Sequence, residues 1–206
     1  MNTKSITVAA IALTAIAGAA NAQELTTNGG FETGDLSGWD TSFLTGGQTF
    51  GLTGDSASGA FAAELFNPDA PSGGVVKQAN IGIGVVNPGD EIQISFKAKG
   101  NFLIGGVLFA EFFSEIDGGG TSATEILSGG PLFVAPEQDY QMFSFTTFAG
   151  PDVSGGVTLQ FNAGTGAASG SLALAFIDDV SVVRIPAPGA LAVLGLGGVA
   201  AIRRRR

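Results

Sequence analysis

The chain of 206 residues contains no cysteine and no histidine. Without cysteine there is no disulfide, no thiol nucleophile and no thiolate metal site. Without histidine the commonest general base and the usual catalytic zinc ligand are missing. One tryptophan and one tyrosine are present, so large rings with a polar edge are scarce. Positive charge is scarce too. All eighteen acidic residues lie between Gln23 and Ile185, where only Lys77, Lys97, Lys99 and Arg184 are basic, giving a net charge of −14. Such a surface repels nucleic acid and anionic membrane, and it suits divalent cations or a soluble state outside the cell.

What the chain does have is glycine, 33 residues, and phenylalanine, 16 residues. Between Gln23 and Ile185 no helical period is sustained. Short alternating runs are bounded instead by Gly, Pro, Asn and Asp, which predicts an all-β sandwich. The clearest run is Glu91 to Lys99. It places Ile92, Ile94, Phe96 and Ala98 on one face and Glu91, Gln93, Ser95, Lys97 and Lys99 on the other. The preceding Asn87-Pro88-Gly89-Asp90 is a turn, since proline sets φ and glycine accepts a positive φ. Val157, Leu159 and Phe161 alternate with Thr158, Gln160 and Asn162. Phe102 to Phe113 reads as one longer core strand, and Gly118-Gly119-Gly120 as the start of a polar connection towards Glu125. Tyr140 to Phe148 and Leu172 to Arg184 complete the set. On the last run Asp178 is expected to share a core-facing side with Leu172, Leu174, Phe176, Val180 and Val182, while Asp179 points to solvent. A carboxylate on the core side needs N–H donors, a lysine or a cation. No Gly-Lys-Ser/Thr nucleotide loop occurs. Acid pairs such as Glu111 and Glu115 are not placed across a cleft by any pattern, so no enzyme activity is expected.

The two ends differ from this region. Met1 to Ala22 has Lys4, an apolar stretch and then Ala20-Asn21-Ala22, which is the pattern of a secretory signal peptide cleaved before Gln23. Gln23 to Ile185 is then a single exported domain. Pro186 to Arg206 reads PAPGALAVLGLGGVAAIRRRR. Ile185 to Ile202 would cover about 26 Å as a helix, a marginal span of a hydrocarbon core about 30 Å thick. By the positive-inside rule the arginines stay cytoplasmic and the bulk of the chain lies outside.

The order Pro186-Ala187-Pro188, a Gly/Ala/Leu-rich segment and Arg203, Arg204, Arg205 and Arg206 resembles the PEP-CTERM sorting signal, with Ala187 in place of the usual glutamate. That resemblance implies a single membrane helix, processing by an exosortase-like enzyme at the inner membrane, and delivery to the cell envelope, cell surface or extracellular polysaccharide matrix.

The exported region carries a second resemblance. Asn28-Gly29-Gly30-Phe31-Glu32-x-Gly34, Gly38-Trp39, Asp55-x-x-Ser58-Gly59-x-x-Ala62, Gln78, Pro88-Gly89-Asp90, the run ISFKAK and Ile177-Asp178-Asp179-Val180-Ser181-Val182 follow in that order. The series is similar to the jelly-roll carbohydrate-binding modules of bacterial xylanases and glucanases. It implies a jelly-roll β-sandwich and a structural Ca²⁺ held by the carboxylates of Glu32, Asp55 and Asp178 with backbone oxygens of Gly30 and Ser58. It also implies an aromatic platform for polysaccharide. Tyr140 and Trp39 are the candidates, Trp39 having packing against the first strands as its alternative. Three readings follow: a sorted, non-catalytic exported protein, a carbohydrate-binding module, or a self-associating matrix protein.

Overall fold

The computed structural model describes residues 22–132, 134 and 139–186. The expected leader over 1–22 and sorting signal over 186–206 therefore fall, but for Ala22 and Pro186, outside the described residues. Within them the chain is all-β. The strands are β1 (Gln23–Glu24), β2 (Thr49–Thr53), β3 (Ala62–Asn67), β4 (Ser72–Ile81), β5 (Glu91–Leu103), β6 (Val107–Glu115), β7 (Thr121–Ile126), β8 (Gln141–Phe148), β9 (Val157–Thr165) and β10 (Leu172–Ile185). They form two antiparallel sheets. One runs β2-β3-β10-β5-β8, with β1 also paired to β10; the other runs β4-β9-β6-β7.

The alternation in the sequence sets which side chains meet between the sheets. Ile92, Ile94, Phe96 and Ala98 of β5 have no solvent exposure, and neither do Val157, Leu159, Phe161 and Ala163 of β9. Aromatic rings bridge the layers. Phe31 stacks on Trp39 at 5.3 Å, Trp39 on Phe161 at 6.0 Å, and Phe161 meets Phe96 edge-on at 4.9 Å. The N-terminal segment is thus tied to both sheets. Gln78, also buried, reinforces this by donating to the Thr27 carbonyl at 2.6 Å and accepting from its N–H at 2.9 Å.

Three expectations are corrected. Phe102 to Phe113 is not one strand: Ile104 and Gly105 adopt positive φ and turn the chain from β5 into β6. Thr121–Ile126, expected as a connection, is β7, an edge strand paired with β6. The third correction concerns the faces of β10. Ala173, Ala175 and Ile177 point inward, while Leu172, Leu174 and Phe176 are half-buried on the outer face. Between Asp178 and Ser181 the register against β5 slips by one residue, with Asp179 at φ 50°. The extra residue of this bulge reverses the parity, so Val180 and Val182 face the core. The chain at Gly29 lies against it: Val180 donates to the Gly29 carbonyl at 2.9 Å, and a Cβ on Gly29 would sit 1.8 Å from the Val180 carbonyl oxygen. Only glycine fits there.

Trp39→Ala removes the ring that joins Phe31 to Phe161, and we expect it to destabilise the domain by about 3–5 kcal/mol in denaturant unfolding. A loss below about 1 kcal/mol would show that the ring column is not what couples the N-terminal segment to the sheets.

Candidate functional site

The bulge in β10 is the base of the site. Asp178 has no solvent exposure although it lies among outer-face residues, because the loop between β2 and β3 covers it. Its carboxylate accepts from the N–H groups of Ala57 at 2.8 Å, Ser58 at 3.0 Å and Asp179 at 2.7 Å. Asp179 accepts from the Ser58 hydroxyl at 2.6 Å and pairs with Lys97 at 2.8 Å; it is not the solvated residue expected. Glu32 reaches the same loop from the first turn of the domain, accepting from Ala60 and Phe61 N–H at 2.9 Å. Gly59 makes that approach possible: its φ is +62°, and a Cβ there would lie 2.4 Å from the Glu32 carboxylate. Asp55, at the start of the loop, holds the Lys99 ammonium with both oxygens at 2.7 Å.

Burial pushes the Asp178 carboxyl above the usual range, and the three N–H donors oppose that rise without cancelling it. Asp179 is also raised by partial burial, but Lys97 and Ser58 outweigh this and hold it below the usual value. Lys97 is raised in turn by its bond to Asp179.

Glu32, Asp55 and Asp178 are the three carboxylates expected to hold calcium. The fold brings all three to one loop, yet all six of their oxygens accept from N–H or ammonium groups. Among the described residues no group of three or more acidic side chains gathers as a metal site. Calcium requires six to eight oxygens turned towards one point. This arrangement does not fit it; the positive charge comes from Lys97 and Lys99.

Beside the loop lies an open cleft of about 370 Å³ lined by Asp55, Ser56, Ala57, Lys97, Lys99, Asp139 and Tyr140. The Tyr140 hydroxyl donates to the Asp55 carbonyl at 2.5 Å. Burial, with the nearby carboxylates of Asp55, Asp178 and Asp179, raises the phenol well above the usual tyrosine range, so it remains a neutral donor. The Lys99 ammonium sits 4.9 Å from the Tyr140 ring and 5.4 Å from the Phe176 ring. Behind the cleft, the outer face of the sheet carries Phe66, Leu174 and Asn101 in one row and Glu64, Phe176 and Lys99 in the next. Trp39 lies elsewhere: it is 8% exposed, in the core, with its indole N–H 3.4 Å from the Asn28 carbonyl. It offers no ring face to a ligand. Lys97 and Lys99 were legible in the alternation of β5, and the doubled Asp178-Asp179 was the mark of the bulge. Nothing local linked either to the loop more than forty residues away.

No protein-family model matches this sequence, and no curated protein matches it. Solved structures do match in fold. The CBM22-1 xylan-binding domain of Paenibacillus barcinonensis Xyn10C superposes with a TM-score of 0.54 at 15% identity, over 77% of this chain and 92% of that one. The Stig cyclase Fisc from Fischerella sp. TAU gives 0.54 at 16%, over 81% and 100%. The enzymatically active domain of bacteriophage CBA120 tailspike protein 4 gives 0.61 at 19%, over 79% of this chain; this chain spans only 21% of it. The protein is thus a two-sheet β-sandwich with distant structural similarity to carbohydrate-binding modules, a fold that enzymes also use.

If the lysines serve as the cations of this loop, a chelator leaves the melting temperature of the domain unchanged, and Lys99→Met lowers it. A fall of several degrees on chelation that added calcium restores would show that the carboxylates turn to a metal in solution.

Proposed function

We propose that Gln23 to Ile185 form a jelly-roll, non-catalytic module that binds polysaccharide at the Tyr140 cleft. The observation that carries this reading is the lining of the cleft. Sugar hydroxyls both donate and accept, and the cleft offers both: the Ser56 hydroxyl, the Asp139 carboxylate and the Lys97 ammonium, beside an aromatic ring. The fold likeness to a xylan-binding domain supports the substrate class. A binding role suits these residues better than catalysis. Tyr140 stays protonated, histidine and cysteine are absent, and Asp55, Asp178 and Asp179 are each held by donors.

Titration calorimetry against a panel of neutral and acidic polysaccharides, xylan included, tests this. We expect heat from at least one, and a loss of at least tenfold in affinity for Tyr140→Ala, measured on a variant that circular dichroism and a cooperative melt show to be folded. No heat from any member would remove the reading.

The module is delivered, in this proposal, by a cleaved leader and a PEP-CTERM-like tail that an exosortase-like enzyme processes at the inner membrane, leaving it at the cell envelope or in the polysaccharide matrix. The sequence from Pro186 to Arg206 supports this. So does the exit of the chain from β10, whose Arg184 pairs with Gln23 at the entry point: both ends leave the sandwich together. The mass of the protein recovered from its native cell checks it. A C-terminus shortened in the wild type, and intact when Arg203 to Arg206 are deleted, is the expected result. An intact wild-type tail held in the inner membrane would leave a simple anchored domain.

A further inference from the structure

We infer that the exported chain has a chemically closed N-terminus: once freed, Gln23 cyclises to a pyroglutamyl lactam. The modification requires the leader cleavage proposed above, between Ala22 and Gln23, and so rests on that reading. The cut leaves an α-amine within reach of the side-chain amide of the same residue, because attack of the amine on Cδ closes a five-membered ring. The N–Cδ bond forms, the Cδ–Nε2 bond breaks, and ammonia leaves with one proton taken from the amine. No oxidant, reductant or co-reactant is consumed. The α-amine of a chain ordinarily titrates at about 7.7–8.0, so its reactive, unprotonated form is present near neutral pH.

The fold leaves the side chain free to react. Gln23 is exposed in β1, and among the described residues no hydrogen bond holds its amide. Other glutamines are tied down: Gln78 bonds both backbone groups of Thr27, and Gln160 donates to Glu111 at 2.6 Å. The chain that follows is fixed. Gln23 pairs with Arg184 and Glu24 with Val183. The Leu25 N–H donates to the Val182 carbonyl at 2.8 Å. The Glu24 carboxylate accepts from the Thr26 N–H at 2.8 Å and the Val182 N–H at 3.0 Å. The new terminus is therefore held at the surface by the residues downstream of it, while its own side chain can turn.

Ring closure suits this position. It spends a side-chain amide that the fold does not use. It keeps the Gln23 carbonyl and leaves one N–H on the ring nitrogen, so the backbone groups of the β1–β10 pair survive. The ring restrains φ as proline does, and the first residue of a strand tolerates that restraint. The lactam also removes the free α-amine that an aminopeptidase must grip. Loss of only two residues from this end would take away Glu24, whose carboxylate ties β1 to β10.

The full chain is exported with its leader, and the recovered protein is measured by intact mass and N-terminal sequencing. The expected result is a chain that begins at Gln23, is lighter by one ammonia than the linear form, and resists sequential degradation until pyroglutamyl aminopeptidase removes the ring. Gln23→Asn is the comparison. Its ring would have four members, so that chain should keep its amine and be shortened by a broad-specificity aminopeptidase that leaves the wild type intact. A wild-type chain that begins at Gln23 and still carries a free amine after prolonged incubation would overturn the inference and leave the leader reading standing. A chain that begins elsewhere, or is uncut, would overturn both.

Discussion

A carboxylate with no access to water must be surrounded by donors, and Asp178 is such a group. Its demand organises one side of the molecule. Leaving it unsatisfied would cost several kcal/mol, so the loop from Asp55 to Phe61 presents the N–H groups of Ala57 and Ser58 to it. Folding the loop down brings Ser58 to Asp179, Ala60 and Phe61 to Glu32, and Asp55 to Lys99. Each of these ties is modest alone. Together they convert a polar, glycine-containing connection into a fixed wall, and that wall is one side of the cleft.

The bulge in β10 is what lets this happen without disturbing the core. One additional residue rotates the strand so that the acids emerge among outer-face residues, while Ala173, Ala175 and Ile177 before it and Val180 and Val182 after it all face inward. The packing between the sheets is therefore continuous past a pair of adjacent carboxylates. The same rotation sets the outer row of Leu174 and Phe176 beneath Lys99, whose ammonium is sheltered between Phe176 and Tyr140. A long, flexible cation held under aromatic rings is more fixed than one at a free surface, and the dipoles it presents to the cleft are fixed with it.

Much of this was written in local pattern, and the rest was not. The alternations of β5 and β9 gave their inward faces directly, because a period of two has one reading when both faces differ in polarity. β10 departs from the same rule: a bulge changes parity, and Asp178-Asp179 alone does not say on which residue. Phe102 to Phe113 is apolar but for Glu111, and the turn at Ile104 and Gly105 is marked by the Gly105-Gly106 pair, not by a polar residue. The acids at 32, 55 and 178 all take part in fixing the loop from Asp55 to Phe61, each with its own donors. Their partners could not be foreseen, because Lys97 and Lys99 look like ordinary solvated charges on an exposed strand face. Trp39 followed the commoner behaviour of a lone tryptophan and went into the core. The Tyr140 cleft required the loop, the strand and the residue before β8 to meet, which no spacing in the sequence expresses.

The place where the chain leaves the sandwich has a mechanical consequence. Pro186 follows β10, which is flanked by β5 along nearly its whole length and by β3 and β1 on its other side. Tension applied at Pro186 acts along the strand. It loads both rows of hydrogen bonds in shear, so that many must fail at once instead of one after another. A terminal strand at the sheet's rim would peel; this one is clamped between neighbours, and the domain would hold under pull far longer than its thermodynamic stability alone implies.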